Sequence, residues 1–283
     1  MSKKTVLCAD STCDLGDMLR ERYDVHYYPF HVILDGKTYS DGVDLVPDEI
    51  YRVYRERNIL PKTAAINAAE YTAFFKQFTD QGYEVVHVTL GSGLSASYNN
   101  CRMAAEEMPG VYAVDSRSLS TGSGLAVLEA ADRIAAGMPA EQVAREVQEL
   151  TARCHASFVI DTLEFLYKGG RCSALAMLGA NLLKLKPCIE VKDGKMGVVK
   201  KYRGAFQKCL VEYVKDRLED RDDLVCDRIF ITYSSAPPET GQAVREAVCR
   251  YASFTEVLET TAGCTVTSHC GPNTLGILFI RNK

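Results

Sequence analysis

The sequence predicts an α/β protein of two domains. In the first half, short apolar runs that end in small polar residues alternate with helical segments, as the strands of a parallel sheet do. After about residue 155 the pattern changes to strands joined by tight turns, which is typical of a mixed or antiparallel sheet. We therefore expect an N-terminal three-layer α/β/α domain at residues 1–160 and a C-terminal α/β domain at 161–283, and a length of 283 residues suits two domains.

The N-terminal half contains apolar runs that are predicted strands, each followed by small polar residues. These are Thr5–Ala9 before Asp10-Ser11-Thr12, Val85–Leu90 before Gly91-Ser92-Gly93, and Val111–Val114 before Asp115-Ser116. Other segments carry apolar residues at spacings typical of helices, namely Pro47–Arg57, Ala69–Gln81, Ser95–Glu107 and Gly124–Ala136. Because the carboxyl ends of parallel strands gather at one edge of a sheet, we expect a ligand crevice at these polar residues.

The C-terminal half predicts a different arrangement of strands. Cys188–Lys192 and Gly197–Lys201 are joined by Asp193-Gly194-Lys195, and Asp-Gly between two strands is typical of a hairpin. The other predicted strands are Ser157–Asp161, Arg228–Tyr233, Glu256–Thr260 and Leu275–Ile280, and the predicted helices are Ala205–Leu218 and Pro238–Tyr251. The segment Ala174–Leu183 is apolar nearly all round, so it is either buried between the domains or lines an apolar ligand tunnel.

The composition excludes several classes of protein. Lys and Arg number 33 against 37 Asp and Glu, a formal net charge of -4, so we expect no nucleic-acid partner. The apolar stretch at the N-terminus is too short for a signal peptide or a membrane span, and we expect a cytoplasmic protein. The 11 cysteines are dispersed and lack a C-x-x-C pair, which indicates reduced thiols and no metal site.

The segment from Val85 to Asn100 combines a strand, a glycine-rich turn and a helix. Free backbone N–H groups and the positive end of the helix dipole favour a carboxylate or a phosphate at such a turn. Ser92, Ser95 and Ser97 add hydroxyl donors. A simpler interpretation is also open, in which Ser92 or Ser95 only caps the helix.

The same turn fits a second hypothesis. Gly91–Ala96 matches the G-x-G-x-x-A pattern of dinucleotide-binding proteins, and Asp115 ends the next strand, as that fingerprint requires. Against this, the motif does not follow the first predicted strand, and no pair of residues suited to hydride transfer follows it. The alternative function is thus a nucleotide-dependent enzyme, of the NAD type or similar to the dihydroxyacetone kinases, that uses this loop.

Other polar residues have more than one interpretation. Asp10, Asp14, Asp41 and Asp44 could form a magnesium cluster, but turn-capping is favoured. His269 is predicted in a loop between apolar strands, where it either points into a cleft and titrates near neutral pH or is an ordinary satisfied histidine. The remaining histidines are isolated and are interpreted as structural: His26, His31, His87 and His155.

Taken in order, these motifs resemble those of the DegV family, the bacterial fatty-acid-binding proteins that serve a fatty acid kinase. The resemblance covers essentially the whole chain. The matching segments are Asp10–Leu15 (DST-x-DL), Asp41–Leu45 (D-G-x-D-L), Gly91–Tyr98 (S-S-x-L-S-G-T-Y), Val114–Ser116, Leu166–Ser173 (L-x-K-G-G-R-I-S), Gly179–Val191, Tyr202–Gly204 and His269–Gly276 (H-x-G-P-G-x-L-G).

The resemblance implies that a long-chain fatty acid, such as palmitate, stearate or oleate, lies with its tail in a tunnel between the domains. Its carboxylate would bind Thr63, which matches the threonine of the family's K-T-S-Q-P motif, and Ser92 or Ser95. His269 matches the family's histidine near the carboxylate. Each buried methylene contributes about 0.8 kcal/mol to binding, so the tail supplies most of the affinity. The contacts of the head group then mainly orient the ligand.

The resemblance also implies a carrier with no catalytic residue, metal or cofactor of its own. The partner would be the catalytic subunit of a fatty acid kinase, with at most transient contact to a membrane surface. Arg203 and Arg171 match basic residues at the gate or the partner contact. The chain departs from the family pattern at Ala64-Ala65-Ile66, Gly91, Ala96-Ser97 and Asn273, and these departures leave the expected head-group residues in place.

Overall fold

The structure is a computed structural model that describes residues 4–171 and 185–282. The predicted apolar helix at 174–183 lies outside the described residues, as do the end of the motif at 166–173 and the start of the motif at 179–191. Within the described chain the strands form three β-sheets, with helices packed against them.

The strands are, in chain order, β1 (Thr5–Asp10), β2 (Val25–Tyr28), β3 (His31–Leu34), β4 (Lys37–Ser40), β5 (Lys62–Ala64), β6 (Glu84–Thr89), β7 (Val111–Asp115), β8 (Cys154–Ile160), β9 (Leu185–Lys192), β10 (Lys195–Arg203), β11 (Leu224–Ser234), β12 (Glu256–Thr261) and β13 (Thr274–Arg281). The α-helices of the described chain are α1 (Gly16–Arg22), α2 (Pro47–Arg57), α3 (Ala68–Thr79), α4 (Ser97–Glu106), α5 (Thr121–Ala135), α6 (Ala140–Leu150), α7 (Glu164–Lys168), α8 (Phe206–Leu218), α9 (Pro238–Tyr251) and α10 (Cys264–Cys270).

The N-terminal sheet is parallel throughout, with the strand order β2-β1-β6-β7. Helices α3 and α4 pack together against it, and α5 and α6 form another pair against it. The carboxyl ends of β1, β6 and β7 meet at Asp10, Thr89 and Asp115. The predicted parallel sheet of the N-terminal half is therefore confirmed.

The second sheet has the order β10-β9-β8-β13-β11-β12 and is mixed, since its neighbouring strands are antiparallel except for the parallel pair of β11 and β12. This confirms the predicted mixed sheet of the C-terminal half. Along β8, Phe158 packs in the core shared with the N-terminal sheet, whereas Val159 packs in the core under α8 and α9. This alternation is the period of two expected of a strand, and it lets one face of the second sheet share a core with the first.

Helix α5 lies between the two large sheets and contacts β1 and β6 as well as β8 and β13. The first turns of α5 are built of small residues because neighbouring parts of the chain approach the helix closely there. A Cβ atom on Gly124 would lie 2.8 Å from Leu15 Cδ2 and 2.9 Å from the carbonyl oxygen of Cys13. Ten residues of this helix are buried, from Thr121 to Ala131 with the exception of Glu129.

Strand β8, the first strand of the second sheet, begins where the pattern of the sequence changes, at about residue 155. The second sheet begins at Cys154, directly after a 3-10 turn at Thr151–Arg153, whereas the predicted N-terminal domain runs to residue 160. That predicted domain therefore contains a strand of the other sheet. No loop or change of composition marks the junction, because α6, the turn and β8 follow one another without an intervening linker.

A small antiparallel sheet, with the order β4-β3-β5, was not predicted. Its strands have three or four residues, which is too short for an alternating apolar pattern to show in the sequence. It packs with α2 around Val32, Leu34, Ile50 and Tyr51. Its third strand, β5, carries Thr63.

Local predictions met with different outcomes. The Asp-Gly hairpin between β9 and β10 is present, and both Asp193 (φ 51°) and Gly194 (φ 71°) have the positive φ of a type I′ turn. The loop predicted around His269 is wrong, because this residue lies in the last turn of α10. That helix has seven residues, mostly Thr, Ser and Cys, so neither its length nor its propensity gives a helical signal.

Candidate functional site

A cavity of about 230 Å³ lies where the three sheets meet. Much of its wall is apolar and comes from Phe30, Leu90, Leu94, Leu119, Met196 and Val266. A second void of about 30 Å³ shares Leu119, Val266 and Cys270 with it and extends along Phe158 and Leu278, between the two large sheets. A smaller void thus lies beside the cavity, behind wall residues that the two have in common.

The polar residues of the cavity wall include Thr63 and His269, which are bonded to each other. Thr63 Oγ1 lies 2.8 Å from His269 Nε2. Thr63 is held at this position by the pairing of β5 with β3, in which it lies opposite Val32. The segment after β5 is fixed as well, since Ile66 N–H donates to Ser97 Oγ (3.3 Å) and Asn100 Nδ2 donates to the carbonyl of Ile66 (2.7 Å).

The imidazole of His269 is partly buried, and its Nδ1 atom has no hydrogen-bond partner among the described residues. Burial, together with the smaller effect of the positive charge of Arg171, lowers the pKa of His269 from 6.5 to about 4. The ring is therefore neutral at pH 7. It packs tightly against Gly169, where a Cβ atom would lie 2.4 Å from Nδ1, so this position has room only for glycine.

Aspartates from the N-terminal part hold the start of α10. Asp41 accepts hydrogen bonds from Cys264 N–H (2.7 Å) and Thr265 N–H (3.2 Å). Asp14 accepts from Gly263 N–H (2.9 Å) and from Ser120 Oγ (2.6 Å). These contacts fix the helix that carries His269 to the N-terminal part of the chain.

Asp14 is fully buried in this arrangement, and its ionisation is perturbed. Burial raises the pKa of Asp14 from 3.8 to about 8. The hydrogen bonds from Ser120 and Gly263 act in the opposite direction, and the charge of Asp41 adds to the increase. Asp14 is therefore mostly protonated at pH 7.

The other aspartates singled out in the sequence also accept hydrogen bonds. Asp10 accepts from Tyr71 OH (2.7 Å), from Leu90 N–H (2.8 Å) and from His87, whose Nε2 lies 3.0 Å away. Asp44 accepts from Ser40 N–H (2.6 Å). Among residues 4–171 and 185–282, no cluster of His, Cys, Asp and Glu has the arrangement of a metal site.

The structure separates the two candidate serines of the glycine-rich loop. Ser95 lines the cavity, and its Oγ lies 3.0 Å from Ser97 Oγ. Ser92 is exposed and lies outside the cavity wall, where its N–H (2.9 Å) and its hydroxyl (2.5 Å) both donate to the Asp115 carboxylate. Of these two serines, only Ser95 can contact a ligand in the cavity.

The glycines of the same loop are explained by close packing rather than by a phosphate. A Cβ atom on Gly93 would lie 2.2 Å from the carbonyl oxygen of Gly194, because the β9–β10 turn lies directly on the loop. Asp115, which would bind a ribose in a dinucleotide site, accepts hydrogen bonds from Ser92 and from Arg117 N–H (2.9 Å). The face that a pyrophosphate would approach is thus filled, and the carboxylate is already bonded.

The two arginines proposed for a gate or a partner contact lie in different places. Arg171 is exposed at the edge of the cavity, and its Nη1 donates to the carbonyl oxygen of Gly169 (2.9 Å). Arg203 is exposed at the last position of β10, whereas Met196, at the other end of that strand, lines the cavity. The structure therefore brings Thr63, Ser95, His269 and Arg171 to one cavity and leaves Arg203 away from it.

Two threonines of the cavity wall had no role in the sequence analysis. Thr12 and Thr265 are buried, with 0% and 4% of their surface exposed, and neither Oγ1 atom has a hydrogen-bond partner among the described residues. Thr12 belongs to the polar residues after β1, where a crevice was expected, and Thr265 lies one helical turn before His269. Position in the sequence alone gave no reason to separate them from other polar residues nearby.

The chain is similar to known proteins over nearly its whole length. A family model, that of the DegV family of uncharacterised proteins, matches residues 4–282. A DegV domain-containing protein of Mycobacterium bovis is 32% identical over 279 residues, which cover 96% of this chain and 95% of that protein. One from Caldanaerobacter subterraneus is 27% identical over 279 residues, covering 98% and 99%.

Solved structures of similar proteins share the fold of this chain over nearly its whole length. A DegV family protein from Thermus thermophilus, described for its fatty acid binding, superposes with a TM-score of 0.87 at 28% identity, covering 98% of this chain and 99% of that one. A stearic acid-binding protein from Eubacterium ventriosum has a TM-score of 0.82 at 25% identity and 98% coverage of both chains. In the described part of the present chain, no helix is both long and apolar enough for a membrane span.

Proposed function

This chain belongs to the DegV family, and we propose that it binds a long-chain fatty acid. The carboxylate contacts Thr63, Ser95 and His269, and the tail occupies the apolar cavity. The observation that carries the proposal is the hydrogen-bonded pair of Thr63 and His269 in the wall of a largely apolar cavity. A ligand with one polar end and a hydrocarbon chain matches that distribution.

The Thr63–His269 pair suits a carboxylate. In the tautomer with its proton on Nε2, His269 donates to Thr63 Oγ1, and the threonine hydroxyl is then free to donate to the ligand. Ser95 supplies a second hydroxyl in the same wall. Arg171, exposed at the edge, adds a positive charge that attracts an anion toward the opening.

The apolar wall supports binding of the tail. Leu90, Leu94 and Leu119 line the cavity, and the smaller void beside it is lined by Phe158 and Leu278 of the second sheet. Burial of each methylene contributes about 0.8 kcal/mol, so a tail in this space supplies most of the affinity. The polar groups then mainly set which end of the ligand faces the edge of the cavity.

The finer role that we propose is presentation of the carboxylate to the catalytic subunit of a fatty acid kinase, for formation of an acyl phosphate. The chain itself is a carrier and not an enzyme. In this role the kinase supplies ATP, metal and phosphoryl transfer, and the exposed Arg171 and Arg203 contact the partner or control access. The support for this role is the family membership together with the exposure of both arginines.

Binding is tested by titrating the ligand-free protein with stearic acid and with stearyl alcohol, which has the same tail but no carboxylate. We expect the acid to bind at one molecule per chain and about tenfold or more tightly than the alcohol, because charged acceptors make stronger hydrogen bonds. Equal affinities would contradict the head-group assignment, and binding of neither would contradict the function.

Presentation is tested by adding the loaded protein to a fatty acid kinase catalytic subunit with ATP and measuring acyl phosphate. We expect formation of the product to require this chain. Because Arg203 lies away from the cavity, Arg203→Ala should slow the reaction and leave fatty acid affinity unchanged. A rate that is independent of this chain would contradict the carrier role.

A further inference from the structure

Ser95 caps a helix and lines the cavity at the same time. Its Oγ accepts a hydrogen bond (3.2 Å) from the N–H of Ser97, the first residue of α4. A hydroxyl has one proton and two lone pairs, and capping uses only a lone pair. The two interpretations that the sequence left open for Ser95 are therefore compatible, because capping leaves its proton available to a ligand.

The side chain of Ser97 also contacts Ser95. The two Oγ atoms lie 3.0 Å apart, and either can be the donor. Ser97 is fully buried and is not part of the cavity wall. Its Oγ accepts a hydrogen bond from Ile66 N–H (3.3 Å), three residues after Thr63. Ser97 thus lies between the two segments that carry the proposed head-group hydroxyls.

The proton of the Ser97 hydroxyl has two possible acceptors. One is Ser95 Oγ, and the other is Tyr71, which is hydrogen-bonded to Ser97 and donates its own proton to Asp10 (2.7 Å). If Ser97 donates to Tyr71, Ser95 in turn donates to Ser97 and has no proton left for a ligand. If Ser97 donates to Ser95, both lone pairs of Ser95 are occupied and its proton is left for an acceptor in the cavity.

We propose that Ser97 is a positioning residue for the ligand carboxylate: it donates to Ser95, and Ser95 donates to the carboxylate. This inference rests on the proposed function and adds to it a residue that does not touch the ligand. A carboxylate only accepts hydrogen bonds, so its binding favours this direction of the two bonds over the opposite one. The two bonds strengthen each other, because hydrogen bonds in a chain polarise their neighbours.

The test measures the affinities for stearic acid and for stearyl alcohol in the wild-type protein and in variants. Ser97→Ala should weaken binding of the acid about fivefold, because Ser95 loses the hydrogen bond that directs its proton. Binding of the alcohol, a weaker acceptor, should change by less than about twofold. A merely structural role of Ser97 would lower both affinities by the same factor and leave their ratio unchanged.

Two conservative variants separate the Ser97 hydroxyl from the volume that the side chain fills. Ser97→Thr keeps the hydroxyl, and the family motif has threonine at this position, so the ratio of affinities should equal that of the wild type. Ser97→Cys fills the same space with a weak donor and should lower the ratio as Ser97→Ala does.

Ser123→Ala is the matched control. The Ser123 hydroxyl is also buried and donates to another serine, Ser116 (2.8 Å), but neither residue lines the cavity. This variant loses the same kind of hydrogen bond away from the ligand. It should keep the wild-type ratio of affinities.

The double variant Ser95→Ala, Ser97→Ala tests whether Ser97 acts through Ser95. If it does, the double variant should bind both ligands as Ser95→Ala alone does, because the second substitution has nothing left to remove. A further loss of affinity for the acid in the double variant would show that Ser97 acts through another group, and would overturn the inference.

The inference and the function on which it rests fail in different ways. If Ser97→Ala and Ser97→Cys keep the wild-type ratio of the two affinities, the inference is overturned and fatty acid binding stands. If the wild-type protein binds neither ligand, the proposed function itself fails. Ser97→Cys decides the question even where Ser97→Ala does not fold.

Discussion

Thr63 Oγ1 lies 2.8 Å from His269 Nε2, although 206 positions separate the two residues in the sequence. The hydrogen bond joins the small β3–β5 sheet to α10, and the cavity opens beside it. Because α10 is tied to Asp14 and Asp41, a single network connects the proposed head-group site to the N-terminal part of the chain.

The first prediction concerns Thr63. Thr63→Val removes the hydroxyl that we assign to the carboxylate and should weaken stearic acid binding about tenfold, which is the usual value of one hydrogen bond to a charged group. Titration of the purified variant measures this. Ser92→Ala is the control, because the Ser92 hydroxyl donates to Asp115 outside the cavity, and its affinity should equal that of the wild type. If only the Ser92 variant bound stearic acid more weakly, the assignment of the head group to Thr63 and Ser95 would be wrong.

The second prediction follows from the neutral state of His269. The pKa of His269 is lowered to about 4 by burial and by Arg171, and a bound carboxylate raises it again because opposite charges favour the imidazolium. Binding should therefore take up protons between the free and the bound pKa, and affinity should rise as the pH falls from about 7 to about 5. Titration in buffers of different ionisation enthalpy measures the uptake. His269→Gln should show none, and equal uptake by the variant would refute the assignment.

The third prediction concerns the effect of Asp14 on the pH dependence of the protein's stability. Its pKa is raised from 3.8 to about 8 in the folded protein, so the folded state keeps a proton that the unfolded state has lost within that range. Stability should therefore fall as the pH rises from about 4 to about 8. Asp14→Asn keeps the acceptor for Gly263 N–H and cannot ionise, so urea unfolding of the variant should depend less on pH. The contribution of His269 is common to both proteins and cancels in the difference. Parallel pH profiles would show that Asp14 does not titrate in this range.

The fourth prediction concerns the contact between the loop and the hairpin. A Cβ atom on Gly93 would lie 2.2 Å from the carbonyl oxygen of Gly194, so Gly93→Ala must push the β9–β10 turn away. We expect a loss of about 1–3 kcal/mol in stability by urea unfolding, together with weaker fatty acid binding, because Met196 of the same hairpin lines the cavity. Gly197→Ala is the control, since nothing lies within 4 Å of its added Cβ. Equal stability of the two variants would contradict the close contact.

The parts of the fold that the sequence predicted are those with a strong local pattern. The apolar runs before Asp10 and Asp115 give the parallel sheet, and Asp193-Gly194 gives the hairpin because both residues adopt positive φ readily. Strand β5 has three residues and α10 has seven, so neither gives a periodic signal. The elements that carry Thr63 and His269 are therefore those that periodicity could not identify. The family motif supplied Thr63, whereas the small polar neighbours of His269 had already made that residue a candidate.

The choice between Ser92 and Ser95 shows a second limit. Both lie in the same glycine-rich loop, and their chemistry is identical. What separates them is the conformation of the loop, which places Ser92 against Asp115 and Ser95 in the cavity wall. Thr12 and Thr265 are a similar case, because a missing hydrogen-bond partner is a property of the folded chain and has no signature in the sequence.

The central claim is that the cavity holds a fatty acid, and the most direct measurement is mass spectrometry of the protein as purified. A native mass would be recorded first, and the ligand would then be extracted with organic solvent and identified. We predict one fatty acid per chain, visible in the native mass and recovered in the extract. A native mass equal to that of the bare chain, with uptake of NAD or ATP and no uptake of added fatty acid, would contradict the account.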